Sequence, residues 1–535
     1  GVAVADTPAA TAATAQSHGG GVDVHNAPAA VPVAATAIRF KLGKRVLSTA
    51  DTPRYDRQLD DPVYRPLQIY TIDPSRRRGE GQRTEINIPY ERLQKGPVGC
   101  RFRVKRSDQW PLHPYEDVDL DEPRLLITNG HQPAPTDPTF HHQMVYAVAM
   151  GTYAVFRTAL GREVGWGFHG ERLNLVPHAF VDANARYVRD RKSLEFGWYR
   201  VEGGEHVDLP PGALIFSCLS HDVIAHELTH ALLDGLRVRF DRSTNPDVGA
   251  FHEAFADLVA LLQRFSYRQV VRSVIVKTKG DLKKGGDWLR LVFEVALGKG
   301  DQALRVIDIE AKQKYDAAED EHDLGTVLVS AIIEAFVTIY TRKAGPLIRM
   351  ATGGRTSIGE DEVLSYDLLE QLTHVASRLA SQLLTMCIRA IDYCPPIDIT
   401  FGEYLRALIT ADRDLGPHDT YSYREALIEA FRRRRISPMS VRFSGDPGSA
   451  ASADEVVRQA RLIGEMVCVP ENLEIFGLAD PKSDEFRRGE VDPPVIESVR
   501  SVRRVGPDGQ LAFDLVAEVS QCRDVAGGDG YPGFK

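Results

Sequence analysis

Apolar positions along the chain recur with two different periods. Between about residues 38 and 130 they fall in short β-type runs broken by Pro and Gly: RPLQIYTIDP, TEINIPYERL, CRFRVKR and PRLLITNG. This pattern predicts a small β-rich amino-terminal domain. The period lengthens in DPTFHHQMVYAVAMGTYAVFRTAL, which predicts a helix starting near Asp137 with Pro138 in its first turn. Strand-like pieces return in EVGWGF, RLNLVPHAFV, ARYV and LEFGWYRV. From about residue 219 to 436 the pattern is that of long amphipathic helices. A Gly/Ser-rich break, SGDPGSAASAD, precedes one more helix, and VIESVRSVRRVGPDGQLAFDLVAEVSQ predicts a β-hairpin around its Pro-Asp-Gly turn.

The resulting expectation is an α+β protein in five stretches: an Ala/Pro/Gly-rich tail (1–37), the β-rich domain (38–130), an α/β lobe (131–218), a helical lobe (219–440), and a linker, helix and hairpin extension (441–535). The tail has no aromatic residue and too little apolar surface to offset its ordering entropy. Composition adds exclusions. An apolar fraction of 43% and a net charge of −9 over 535 residues are those of a soluble globular protein and give no nucleic-acid signature. The basic run Arg432–Arg435 reads as a solvated helix end. Leu324 to Tyr340 is strongly apolar but carries Glu334 near its middle, so it reads as a core helix, and no transmembrane segment is expected. The six cysteines lack CxxC spacing and read as free thiols. With no secretory signal visible, the expected location is the cytoplasm, or outside by a route without a cleaved signal.

The chemistry concentrates in SCLSHDVIAHELTHALLDGLR. His226 and His230 are four residues apart, so on a helix both rings leave one face and converge on one ion. With Glu227 between them this is HExxH, in which two imidazoles bind Zn²⁺ and the glutamate is the general base. In NPDVGAFHEAFADLVALLQRF, Glu253 is the expected third ligand. Asp257, one turn on, is placed to hold the far nitrogen of a ligating histidine. His252 competes as a ligand but points about 100° away from the Glu253 face.

These motifs resemble the thermolysin-like gluzincin metallopeptidases, with HExxH on one helix and Glu-x-x-x-Asp on the next. DANARYV followed by FGWY is similar to that family's substrate strand, with Asn184 and Ala185 matching its Asn-Ala pair, and EHDLGTVLVSAIIEAF to its segment opening on the active-site histidine, here His322. The resemblance covers about 140–436. It implies a β-containing lobe and a mainly helical lobe with a cleft between, one zinc per chain, and endopeptidase action on a peptide or protein substrate, with a preference for a bulky apolar residue after the cut bond. It also implies a hydrogen bond from His322 to the developing oxyanion, with Asp320 as the carboxylate orienting that imidazole. Tyr187, Trp198 and Tyr199 read as packing residues on strands or as substrate contacts from the strand edge, His221 as local structure, and His141 and His142, on different helix faces, as no ligand pair.

Two departures stand out. The family's oxyanion tyrosine, about a dozen residues after the second histidine, is missing; Phe240 stands in that neighbourhood. Asp222 matches a calcium-binding aspartate, but Arg264 replaces the calcium-binding glutamate, so the family's main calcium cluster is not expected. The alternative function is a catalytically weak or latent metal-binding protein, whether a scaffold, a delivered cargo or a tail-inhibited proenzyme. An aminopeptidase would need acidic residues for a free amino terminus, and none is evident.

Overall fold

The computed structural model describes, apart from a few positions within them, residues 53–75, 83–237, 245–283, 307–436 and 483–523, with Lys41, Leu42, Phe240 and part of 461–480. The expectations for the 1–37 tail and the Gly/Ser-rich break fall outside the described residues.

After the two-residue strand β1 (Lys41–Leu42), β2 (Tyr64–Tyr70) and β3 (Arg83–Pro89) pair antiparallel. In β3 every second residue is buried, and Ile86 and Ile88 lie beside Gly151 of the helix behind them. Strand β4 (Phe102–Val104) leaves this pair and runs parallel to β5 in a different sheet. The stretch 38–130 therefore does not close into a domain of its own. One continuous apolar core runs from Leu67 to Ile436.

PRLLITNG, expected as a strand, contains a short helix, α1 (Pro123–Ile127). Pro123 presets a helical φ at the first turn, Leu126 and Ile127 are exposed, and the segment meets β2 at its end, where the Asn129 carbonyl accepts from the Gln68 amide at 3.2 Å. EVGWGF likewise forms no strand. Val164, Trp166 and Phe168 are buried, the Val164 backbone bonding the Tyr153 hydroxyl at 3.1 Å and Trp166 stacking on Phe168.

Helix α2 (Pro138–Leu160) begins as expected: the Asp137 carboxylate accepts from the Thr139 amide and Pro138 occupies the first turn. It ends at Gly161, which takes the left-handed φ of 66°. The sheet follows: β5 (Leu173–Val181), β6 (Ala185–Val188), β7 (Ser193–Arg200) and β8 (Leu214–Phe216). Strand β7 is its axis. It runs parallel to β5 on one side; on the other, β6 pairs with its first half and β8 with its second, both antiparallel.

A 3₁₀ turn (Ser217–Leu219) leads from β8 into α3 (His221–Leu236), capped by Ser220. Next come α4 (Pro246–Phe265), capped by Asn245, and α5 (Arg268–Thr278). Helices α6 (Glu321–Ala351), α7 (Tyr366–Ala390), α8 (Phe401–Leu415) and α9 (Tyr423–Arg433) complete the helical part. Helix α4 packs against α3, α6 and α7. Helix α6 is long and apolar enough to span a membrane, but its apolar stretch is mostly buried inside the protein. Its Glu334 is held by Arg433 and Arg434. The run Arg432–Arg435 is thus not simply solvated: Arg434 is fully buried, because only a cation there compensates the core carboxylate.

Beyond α10 (Asp484–Arg487), β9 (Val495–Val505) and β10 (Leu511–Ser520) form the expected antiparallel pair, and β1 adds parallel to β9. A small separate core of Ile463, Val467, Ile496 and Val499 lies with them. Arg237, at the end of α3, pairs with Glu518 of β10. All six cysteines are free thiols.

Candidate metal centre

The 3.6-residue period of α3 places His226 and His230 one turn apart on the face turned to α4, and their Nε2 atoms lie 3.0 Å apart. Glu253 closes the triangle from α4: its Oε2 is 3.7 Å from His226 Nε2 and its Oε1 is 3.5 Å from His230 Nε2. Four-coordinate zinc with bonds of about 2.0–2.1 Å spaces its ligands roughly 3.3–3.4 Å apart. The triad brackets that spacing, and two imidazoles plus one carboxylate are the donors of a catalytic zinc with an open fourth position.

The far nitrogens of both rings are also met. His226 Nδ1 lies 2.8 Å from Asp257 Oδ1, the expected placement of Asp257. His230 Nδ1 lies 3.3 Å from His252 Nδ1, the two rings being stacked. His252 is therefore not in the ligand triad but behind one of its members. The sequence carried that signal in its 100° offset from Glu253, read there only against ligation. Burial opposes charge on the His226 ring, yet the Asp257 carboxylate, with Glu227 and Glu253 nearby, holds its pKa above the usual imidazole value.

Glu227 is buried beside this triad. Burial raises its carboxyl above the ordinary range; the His226 ring lowers it and Glu253 raises it further. Its Oε2 accepts a hydrogen bond of 2.8 Å from the backbone amide of Tyr187 on β6. Tyr187, expected to pack or to touch substrate from the strand edge, thus fixes the carboxylate, while its hydroxyl donates to Asp234 of α3 at 2.8 Å. Arg189 holds the same aspartate at 2.7 Å. Strand β6 is in this way bound to the HExxH helix at two points.

Asn184 and Ala185 lie at the start of β6. The Asn184 Oδ1 accepts from the Ala185 amide, its carbonyl accepts from the Gly197 amide, and the residue is exposed. His322 is exposed in the first turn of α6. Among the described residues no hydrogen bond joins its ring to the triad. Asp320 does not orient that ring through a hydrogen bond: its Oδ1 accepts from the backbone amides of His322 and Asp323, because an aspartate just before a helix finds those unpaired donors first. The first turns of α6 and α4 nonetheless meet closely. A Cβ on Gly325 would lie 3.0 Å from the Ala250 carbonyl, and the Glu321 carboxylate covers Gly249. A cavity of about 610 Å³ between these helix starts is lined by Asn245, Pro246, Tyr315, Asp320, Glu321 and Leu324, without the triad.

Phe240 is buried, edge-on to Phe251, and has no group to donate. Asp222 and Arg264 form a buried ion pair of 2.6 Å. His221 bridges Asp222 and the Tyr267 hydroxyl at 3.2 and 3.1 Å, a local structural role. A guanidinium thus meets Asp222 where the resemblance would put a cation. A second group of metal-capable atoms, on His141, His178 and Cys218, lies elsewhere and fully buried. No protein-family model matches the chain, and no curated protein is significantly similar to it.

Proposed function

We propose that the chain is a zinc-dependent endopeptidase of the thermolysin-like kind, its β-containing and helical parts flanking a substrate cleft at the HExxH helix. The observation that carries this reading is the convergence of His226, His230 and Glu253 with Glu227 alongside, anchored by the Tyr187 amide. A purely structural metal has no use for a buried, oriented carboxylate next to its ligands.

His226, His230 and Glu253 would hold the ion, with Asp257 and His252 fixing the two rings from behind. Zinc bound there supplies Lewis acidity toward a carbonyl and lowers the pKa of water. Glu227 accepts the proton of the attacking water and delivers it to the departing amine, so the carboxylate is regenerated. An extended peptide would lie along β6 near Asn184 and Ala185. His322 is the proposed donor to the oxyanion, reached by movement of its exposed ring.

The buried Phe240 favours a second reading, a metal-binding scaffold of negligible turnover, since a missing oxyanion donor costs roughly 10²–10³ in rate. Zinc content and cleavage of a quenched peptide library, for the parent and Glu227→Gln, separate the two. The peptidase predicts one zinc at the triad in both chains and a loss of cleavage of roughly 10²–10⁴-fold in the variant. Zinc in both chains with no cleavage by the parent selects the scaffold; no zinc at the triad defeats both.

A further inference from the structure

His141 in the first turn of α2, His178 on β5 and Cys218 in the 3₁₀ turn before α3 are far apart in sequence. Their ligand atoms nevertheless lie within 4.8 Å of one another, and all three residues are 0% exposed. The protons can be placed. The Pro135 carbonyl, 2.9 Å from His141 Nε2, accepts its N–H, so the lone pair of a neutral His141 is on Nδ1. That Nδ1 lies 2.8 Å from His178 Nε2. Without an ion, His178 must keep its proton on Nε2 to donate to His141, leaving a bare lone pair on Nδ1. Nδ1 is buried and has no hydrogen-bond partner. An unsatisfied buried acceptor is destabilising.

The surroundings leave little access for water. The Trp110 ring lies 4.4 Å from that of His178, and Phe216 stacks on Trp110 at 5.5 Å. The neighbouring His142 is different: both its nitrogens are taken, by the Gly96 carbonyl and the Tyr115 hydroxyl.

We propose that His141, His178 and Cys218 form a second metal site, for a thiophilic ion, Zn²⁺ or Cu⁺, that staples α2 and β5 to the turn entering the HExxH helix. Two imidazole nitrogens and one thiolate form a set that these ions prefer over hard cations. Binding would break the His141–His178 hydrogen bond and so free the Nδ1 lone pair of His141, His178 would bind through its unpartnered Nδ1, and the thiol would release one proton to solvent as its sulfur bonds the ion. The Pro135 carbonyl orients His141 from behind, as such carbonyls do for ligating histidines. This site does not depend on the peptidase reading.

The test uses the full chain, stripped of metal by a chelator and titrated with Co²⁺. Only a site with a thiolate gives the near-ultraviolet sulfur-to-cobalt charge-transfer band, so the band reports this site and not the His226/His230/Glu253 triad. The band is expected in the parent and in Glu253→Gln, and is expected to vanish in Cys218→Ser, with one bound cobalt lost. Elemental analysis of the protein as purified tells zinc from copper. A parent without the band overturns the proposal even if Cys218→Ser fails to fold, and so does a band that survives in Cys218→Ser.

Discussion

Asp222 and Arg264 show how a buried carboxylate is compensated by a side chain of the same protein. The aspartate is fully buried, and the guanidinium at 2.6 Å compensates it from within the chain. Arg264→Ala is expected to destabilise the fold by about 3–5 kcal/mol, because it leaves a buried carboxylate uncompensated. Denaturant titration reads the loss, and added calcium should not raise the midpoint of the parent. The sequence made this pair half legible: it placed an arginine where a cation ligand was expected, but not the contact. His226 with His230, and Glu253 with Asp257, were legible as pairs because helical spacing fixes which atoms share a face, whereas their convergence came from the resemblance and from the donors a zinc needs. His252 behind His230, and the set of His141, His178 and Cys218, were not, since each depends on how distant elements pack.

At the scale of elements, helices were read more faithfully than strands. A helix satisfies its own backbone, so its period suffices, whereas an alternating run needs a partner the sequence does not name. Among the described residues neither PRLLITNG nor EVGWGF pairs into a sheet, although the Asn129 carbonyl of the first accepts from the Gln68 amide of β2. The crossing of α4 and α6 rests on a missing side chain. Since a Cβ on Gly325 already approaches the Ala250 carbonyl at 3.0 Å, Gly325→Leu is expected to force the helices apart. A cost of about 1–3 kcal/mol is expected from such overpacking, with weaker zinc retention because Glu253 rides on α4. Denaturation midpoints and zinc retention against a chelator check both.

Across the whole molecule, the described part of the carboxy-terminal extension has its own small core but is tied to the end of the HExxH helix. Arg237 is buried at the end of α3, donating to the carbonyls of Ile391 and Cys394 as well as pairing with Glu518. Glu518→Ala is expected to loosen the β9–β10 pair and cost about 3–5 kcal/mol, the penalty of a buried charge losing its partner. Faster proteolytic clipping within 495–520, with the zinc triad still loaded, would show it; unchanged cleavage would refute the tie. The strand pairing was legible from its turn chemistry, but this attachment was not.

The rim of the five-stranded sheet has a further consequence. The Asn184 carbonyl accepts from Gly197 of β7, and the register of β6 turns the amides of Arg186 and Val188 to the same side, so those of Ala185 and Tyr187 face outward. Both outward donors are already spent, one on Asn184 Oδ1 and one on Glu227 Oε2. What the rim offers a newcomer is carbonyl oxygens alone. A strand laid along this border, whether from another copy or from a peptide, finds acceptors without matching donors, so the border is chemically one-handed: it receives the newcomer's N–H groups and leaves the newcomer's carbonyls to other partners.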